Sequence, residues 1–426
     1  MEPHVLIFPL PAQGHVNSML NLAQLLSLAG LNITFLNTDY IHNRLFLYTN
    51  IVSRLTSFPG FQFKTISDGF PADQPRAGRL LELFDSLKLV TKSLFREMLY
   101  SGQLNSVTGQ TVTCIIADGI LSFPIDVGNE LGIPVIHFRT ISACSFWAYF
   151  SIQDIIQAGH LPITGNEDMD RLVTSVSGME TFLRFRDLPS FCRVSNLADP
   201  KLQLFANETR QSSRAHALIL NTFEDLEGSV LSHIATQCPK IYTIGPIHAM
   251  LKLRLESETI QLQSRSPNSL FEVDRNCMAW LDDQSLNSVI YVSFGSTTVM
   301  TNDELMEFWY GLVNSKKRFL WAIRPDFVAK KDSEGHIPVE LVEGTKDRGF
   351  VSEVWKLGMD MKDVCDRFIV EKMVNDLMGE RREEFMKSTT EKARLARESV
   401  SEGGLSYCNF DHLIKDIWLM SMASPK

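Results

Sequence analysis

His15 and Asp118 are the residues whose types and places in the chain could do chemistry together. His15 follows the short apolar run Val5–Phe8 and stands where an apolar helix pattern begins. Asp118 follows the run Val112–Ala117. In an open α/β sheet, ligands bind at the carboxyl ends of the strands, so both residues project from one edge of the sheet. A carboxylate that accepts the Nδ1 proton of an imidazole fixes its tautomer and stabilises the imidazolium that forms. A helix N-terminus beside the ring disfavours a positive charge and keeps the imidazole able to accept a proton. The pair is therefore a candidate general base with its orienting acid. The spacing is equally consistent with two helix caps.

Three further groups carry possible chemistry. Gly295 and Ser296 lie in the run Ser293–Thr298 after an apolar stretch, where backbone N–H groups could meet a phosphate. No Lys follows them and no Gly-x-Gly-x-x-Gly is present, so an ordinary strand-to-helix turn explains the run as well. Asp168 and Asp170 could hold a divalent cation, but no strand precedes them, and a solvated loop is the favoured reading. The aromatic cluster Phe138, Phe146, Trp147, Tyr149 and Phe150 could line a pocket for an apolar ligand, although such density is more often plain core.

The elements that must position these residues alternate. Val5–Phe8, Ile33–Leu36, Val112–Ala117, Pro134–Phe138, Ala215–Asn221 and Lys240–Ile244 read as strands, and Val16–Ala29 and Pro124–Leu131 as helices between them. Continuous apolar strands alternating with amphipathic helices signal a parallel sheet covered on both faces. The polar stretch 248–272 reads as a linker. The alternation then restarts with strands Ser288–Phe294 and Arg318–Ile323 around helix Asp303–Asn314. Gly349-Phe350 begins a strand, whereas Val351–Lys356 reads as the end of a helix capped by Gly358. Beyond it only helical patterns remain: Asp366–Met378, Glu380–Val400 and Tyr407–Met420. A parallel sheet with two recognisable strands would leave exposed edges.

Composition sets the class. The 426 residues are 44% hydrophobic and 21% charged, which suits a soluble protein of two or three domains. The net charge of -9 offers no basic surface for nucleic acid. The seven cysteines form no Cys-x-x-Cys pair, which points to reduced thiols in a cytoplasmic protein. No stretch has the length and apolarity of a membrane span.

Eight segments in order carry a resemblance: FPLPAQGHVNSMLNLAQLL, ISDGFP, CIIADGILSF, FRDLPSF, NTFEDLE, IGPI, CMAWLDDQ and VIYVSFGS. They resemble the plant family 1 UDP-dependent glycosyltransferases, from Pro3 to about Phe350 and again from Val351 to Ile417. HVNSML and TISACSFWAYF look most like the members that glucosylate an iridoid or terpenoid acceptor. The resemblance implies the GT-B architecture, two Rossmann-like domains facing a cleft. Residues 1–247 would form the acceptor-binding domain and 273–400 the UDP-sugar-binding domain, with the helix in 401–426 returning to the first. It implies His15 as the base, Asp118 as its partner, and Thr140, Gly295 and Ser296 as donor contacts. Phe123, Phe146 and Trp147 would contact the acceptor. UDP-glucose is the implied co-substrate, with no metal, no further cofactor and a monomeric chain.

The family's donor-binding box, Trp-Ala-Pro-Gln through His-Cys-Gly-Trp-Asn-Ser to Asp/Glu-Gln, should stand between Phe350 and Val351. Here RGF runs directly into VSEVWKLG, and none of the six tryptophans follows a glycine. The second domain reads as internally deleted near 350, and the chain is expected to transfer glucose weakly or not at all. The alternative is a non-catalytic, acceptor-binding pseudo-enzyme or splice variant. A nicotinamide dehydrogenase is set aside for want of the glycine fingerprint.

Overall fold

The computed structural model describes residues 2–423, apart from 73, 75, 77, 164–168, 239, 258–275, 296–299, 324–348 and 353–364. The chain divides into two compact units. The first holds residues 1–74, 81–270 and 393–426, and the second holds 75–80 and 271–392.

The first unit is built on seven strands: β1 (His4–Phe8), β2 (Asn32–Thr38), β3 (Phe61–Ile66), β4 (Cys114–Asp118), β5 (Val135–Arg139), β6 (Ala217–Leu220) and β7 (Ile241–Thr243). All pair in parallel, in the order β3-β2-β1-β4-β5-β6-β7. Every residue of β1, β2, β4, β5 and β6 is buried. That is why these strands read as unbroken apolar runs: helices cover both faces. The edge strand β3 is half-buried in its middle and carries Gln62, Lys64 and Thr65, so it gave no such run.

The order reverses between β1 and β4, because the chain moves from β1 outward to β2 and β3 and then returns to the other side of β1. A crevice opens at the carboxyl ends of two strands related in this way. The helix Gln13–Leu28 follows β1 directly, buries Val16, Met19, Leu20, Leu22, Ala23, Leu25 and Leu26, and stops at Ala29 and Gly30. Gly30 takes a φ of +82°, a left-handed turn suited to glycine.

The linker expected over 248–272 is corrected at its start. Ile247–Ser257 is a helix that packs on Gln13–Leu28 and buries Ile247, Met250, Leu251 and Leu255. Those four apolar positions fall on one helical face, hidden in the sequence among Lys252, Arg254, Glu256 and Ser257. The remainder of the expected linker, 258–272, lies outside the described residues.

The helix Leu405–Ala423 closes the first unit. It buries Phe410, Leu413 and Ile417 and packs on the edge strand β7. Polar contacts fix its register. Ser406 donates to the Gly245 carbonyl at 2.7 Å, and Asn409 donates to Thr243 Oγ1 at 2.8 Å. Asp416 accepts from both Lys240 and the Tyr242 hydroxyl.

The second unit holds a parallel three-stranded sheet, β10-β9-β8, of β8 (Val289–Ser293), β9 (Arg318–Ala322) and β10 (Gly349–Ser352). The reading of Val351 as the start of a helix end is corrected. Val351 and Ser352 continue the strand in register with Trp321 and Ala322, because ladder pairing with β9 overrides a four-residue helical pattern. Lys356 and Gly358 lie outside the described residues. The core gathers Ile290, Val292, Leu305, Phe308, Trp309, Phe319, Trp321, Val370 and Val374. Helices Asn302–Asn314 and Arg367–Met378 pack together over this core. Along β8 only Ile290 and Val292 are buried, and Tyr291, on the opposite face, is 37% exposed.

Candidate functional site

β1 and β4 lie side by side, with Phe8 opposite Ala117. Asp118 is the last residue of β4, and His15 is the third residue of the helix that follows β1. The order reversal thus brings both to one place. His15 Nδ1 stands 2.7 Å from Asp118 Oδ2. The same ring nitrogen is 3.1 Å from the Thr140 hydroxyl, just beyond the end of β5. The N-caps of the two adjoining helices are Ala12 and Ser122, so neither member of the pair is a cap.

Burial differs sharply within the pair: the Asp118 side chain is 1% exposed and His15 27%. Asp118 also accepts the Leu10 N–H at 3.2 Å and the Ile120 N–H at 3.2 Å. Burial opposes ionisation of this carboxyl. His15, Arg139 and the Leu10 N–H outweigh burial and hold the group below the usual carboxylate range. An ionised carboxylate only accepts, so Nδ1 is the ring atom that donates across this contact, which in the neutral imidazole leaves the lone pair on Nε2. The arrangement can take a proton from a ligand hydroxyl at Nε2 and spread the resulting charge onto Asp118.

Gly295 takes a φ of +74° in the bend after β8, and its N–H reaches Ser293 Oγ at 3.4 Å. Ser296 lies outside the described residues. Phe123, Phe146 and Trp147 are all buried against protein. Phe123 meets Phe8 and Phe95 edge-on, Phe146 packs on Phe150, and Trp147 stacks on Phe150 at 5.3 Å while its N–H reaches the Ser177 carbonyl at 2.8 Å. Their first role in this structure is core. Asp168 lies outside the described residues, and Asp170 accepts from Arg184 and Arg186 at 3.0 and 2.7 Å. No disulfide joins the cysteines. Among the described residues, no helix is long and apolar enough to cross a membrane.

Two residues at the site escaped the sequence reading. Glu227 closes the segment NTFEDLE and lies under the helix Ala143–Phe150. Its carboxylate accepts the N–H groups of Ala143 and Cys144 at 2.9 and 2.8 Å and the Thr222 hydroxyl at 2.5 Å. It thereby fixes the turn that leads out of Thr140. Arg139 ends β5, buried, and donates to the Gly119 carbonyl at 2.8 Å. A charged residue closing an otherwise apolar strand was the available signal for Arg139. For Glu227 there was none, since its partners are distant in the chain.

No family model matches the sequence. The chain is 50% identical to a 7-deoxyloganetic acid glucosyltransferase of Catharanthus roseus, over 97% of each chain. It is 39% identical to a myricetin 3-O-rhamnoside 1,2-glucosyltransferase of Crocosmia x crocosmiiflora, over 98% of this chain and 96% of the other. Among solved structures it resembles Os79 of O. sativa in complex with UDP, with a TM-score of 0.76 and 22% identity, covering 97% of this chain and 100% of that one. The fold is thus the GT-B fold, and the chain belongs to the plant UDP-dependent glycosyltransferases, enzymes that transfer hexosyl groups to small molecules.

Proposed function

We propose that the first unit binds a small iridoid or terpenoid hydroxyl compound, of the kind represented by 7-deoxyloganetic acid, with the hydroxyl at His15. His15 Nε2 takes the hydroxyl proton while Asp118 steadies the imidazolium. The freed oxygen attacks the anomeric carbon of UDP-glucose from the face opposite UDP. The new C–O bond forms as the bond to UDP breaks, UDP leaves with the electron pair, and the configuration inverts. Thr140, on the same edge, would contact the sugar; Gly295 and Ser296 would meet the donor's phosphates with backbone N–H groups. The observation that carries this reading is the 2.7 Å contact between His15 Nδ1 and the buried Asp118 at the order reversal of the sheet.

The same reading gives the chain as it stands weak transfer or none. In this reading the segments that would hold uracil, pyrophosphate and glucose have no counterpart between Phe350 and Val351, where RGF runs directly into VSEVWKLG. The alignment with the Catharanthus relative runs over 469 positions against 426 residues here, so at least 43 positions lack a counterpart. The half-open β8 is in keeping with a second sheet that has lost part of its cover. Losing phosphate donors alone costs several kcal/mol in a transition state, roughly 3 per donor. These observations favour a second role as well, that of an acceptor-binding protein without catalysis.

Calorimetry with 7-deoxyloganetic acid and with UDP, beside a radiolabelled UDP-glucose assay, tests both statements. Acceptor binding without UDP binding is the expected result. Transfer at the rate of a full-length relative would overturn the statement on the missing box. In a chain with the box restored, His15→Ala is expected to abolish transfer, and undiminished transfer would overturn the assignment of the base.

A further inference from the structure

We propose that Arg139 is a positioning residue for the His15–Asp118 pair, a fixed cation braced on the Asp118–Gly119 turn that keeps the carboxylate turned to His15 and the Thr140 end of β5 in place. The proposal rests on the base role given to His15 above.

The geometry is tight. Phe138 stands opposite Asp118 in the ladder between β5 and β4, so Arg139 begins where β4 ends. The arginine stem lies flat on the Asp118–Gly119 turn. A Cβ on Gly119 would come within 2.3 Å of Arg139 Cδ and 2.9 Å of its Cγ. Glycine at 119 is therefore what admits the arginine. Nη1 donates to the Gly119 carbonyl at 2.8 Å, an oxygen that also receives the Ser212 hydroxyl at 3.3 Å. The guanidinium lies 5.4 Å from the centre of the Phe146 ring. Its Nε is buried and finds no hydrogen-bond partner.

A buried cation needs an anion nearby. The charged and titratable groups around Arg139 are Asp118 on β4, Glu208 on the helix Pro200–Arg210, Tyr149 on the helix Ala143–Phe150, and His137 on its own strand. Glu208 is already held by Lys88 at 2.7 Å and by the Ser122 N–H at 3.0 Å. His137 is buried and kept neutral. Through the Gly119 carbonyl Arg139 adjoins the turn that carries Asp118, which makes Asp118 the carboxylate that its charge acts on most strongly. From the side of Asp118, two groups supply positive charge, His15 and Arg139. The charge on His15 comes and goes with the catalytic proton, whereas that of Arg139 is permanent. Arg139 therefore keeps Asp118 ionised while His15 is neutral, and that is the state in which Nδ1 must donate and Nε2 must stay open.

The test reads the Asp118 side-chain carboxyl carbon by 13C NMR across pH in the full chain. In the parent protein the resonance is expected to stay that of a carboxylate to below the usual aspartate range. Arg139→Gln is expected to raise the midpoint by about one pH unit or more, the scale of a lost opposite charge. Arg139→Lys, which keeps the charge, is expected to move it far less. If Arg139→Gln does not fold, as judged by circular dichroism, Arg139→Met fills the same space and is read the same way. An unmoved midpoint in a folded neutral variant, or an equal shift in Arg139→Lys, overturns the proposal. The 15N spectrum of the His15 ring separates this from the underlying reading: an Nε2–H tautomer in the parent protein would overturn the base assignment itself.

Discussion

The Glu227 carboxylate accepts the Cys144 N–H at 2.8 Å, joining the end of NTFEDLE to the first turn of the helix after Thr140. An acid at a helix N-terminus satisfies otherwise orphaned N–H groups and meets the positive end of the helix dipole. Burial works against ionisation of Glu227. The Cys144 N–H, the Thr222 hydroxyl and the Ala143 N–H prevail and hold its carboxyl below the usual range.

Glu227→Gln keeps the size of the side chain but turns an amide toward N–H donors. It is expected to lower stability by about 1–3 kcal/mol at pH 7, read from urea unfolding. A depressed carboxyl contributes stability that is complete above its unfolded value, about 4.3, and is lost as pH falls through the folded value. The gap between parent and variant should therefore close only below about pH 4. A variant as stable as its parent at pH 7 would show that the helix does not need this cap.

His4 and His137 predict an earlier acid weakness. Burial pulls His4 down to about 4, and burial followed by the charge of Arg139 pulls His137 down to about 3. Both are neutral when folded, while the unfolded chain protonates them near 6.5. Each lowered value means stability that is full above 6.5 and lost as pH falls toward the folded value. Between pH 6.5 and about 4 the urea midpoint should fall at a slope equivalent to about 1.4 kcal/mol per pH unit for each histidine. His4→Gln should make that slope shallower by about 1.4 kcal/mol per pH unit. A midpoint that is flat from pH 7 to pH 5 would contradict it.

Gly311→Ala tests the packing of the second unit. A Cβ at 311 would lie 2.4 Å from Val370 Cβ and 2.8 Å from the Arg367 carbonyl. The gain in helix propensity is about 1 kcal/mol, and the clash costs about 1–3 kcal/mol, so net destabilisation is expected. Faster amide hydrogen exchange along Asn302–Asn314 would register it. Unchanged or slower exchange would mean that the two helices can part without loss.

What the sequence disclosed follows burial. Strands buried on both faces, such as Cys114–Asp118, stand out as apolar runs, and the two halves could be outlined from them. The half-polar edge strand β3 and the helix Ile247–Ser257, whose buried positions alternate with charges, did not stand out. Within the site, His15 and Asp118 could be paired because each sits at the carboxyl end of a recognisable strand. The supports, Arg139 and Glu227, could not. Their meaning comes from Gly119 and Cys144, partners brought near only when the sheet and its helices assemble.

The helix Leu405–Ala423 covers β7 from far along the chain, with residues 271–392, most of the second unit, translated in between. During synthesis the ribosome therefore releases the seven-stranded sheet with one border bare and must run on through the helix Leu405–Ala423 before that border is sealed. Any change inside the second unit that shifted the reading frame would strip this seal from the first. Only a loss that preserves the frame could leave the first unit able to mature.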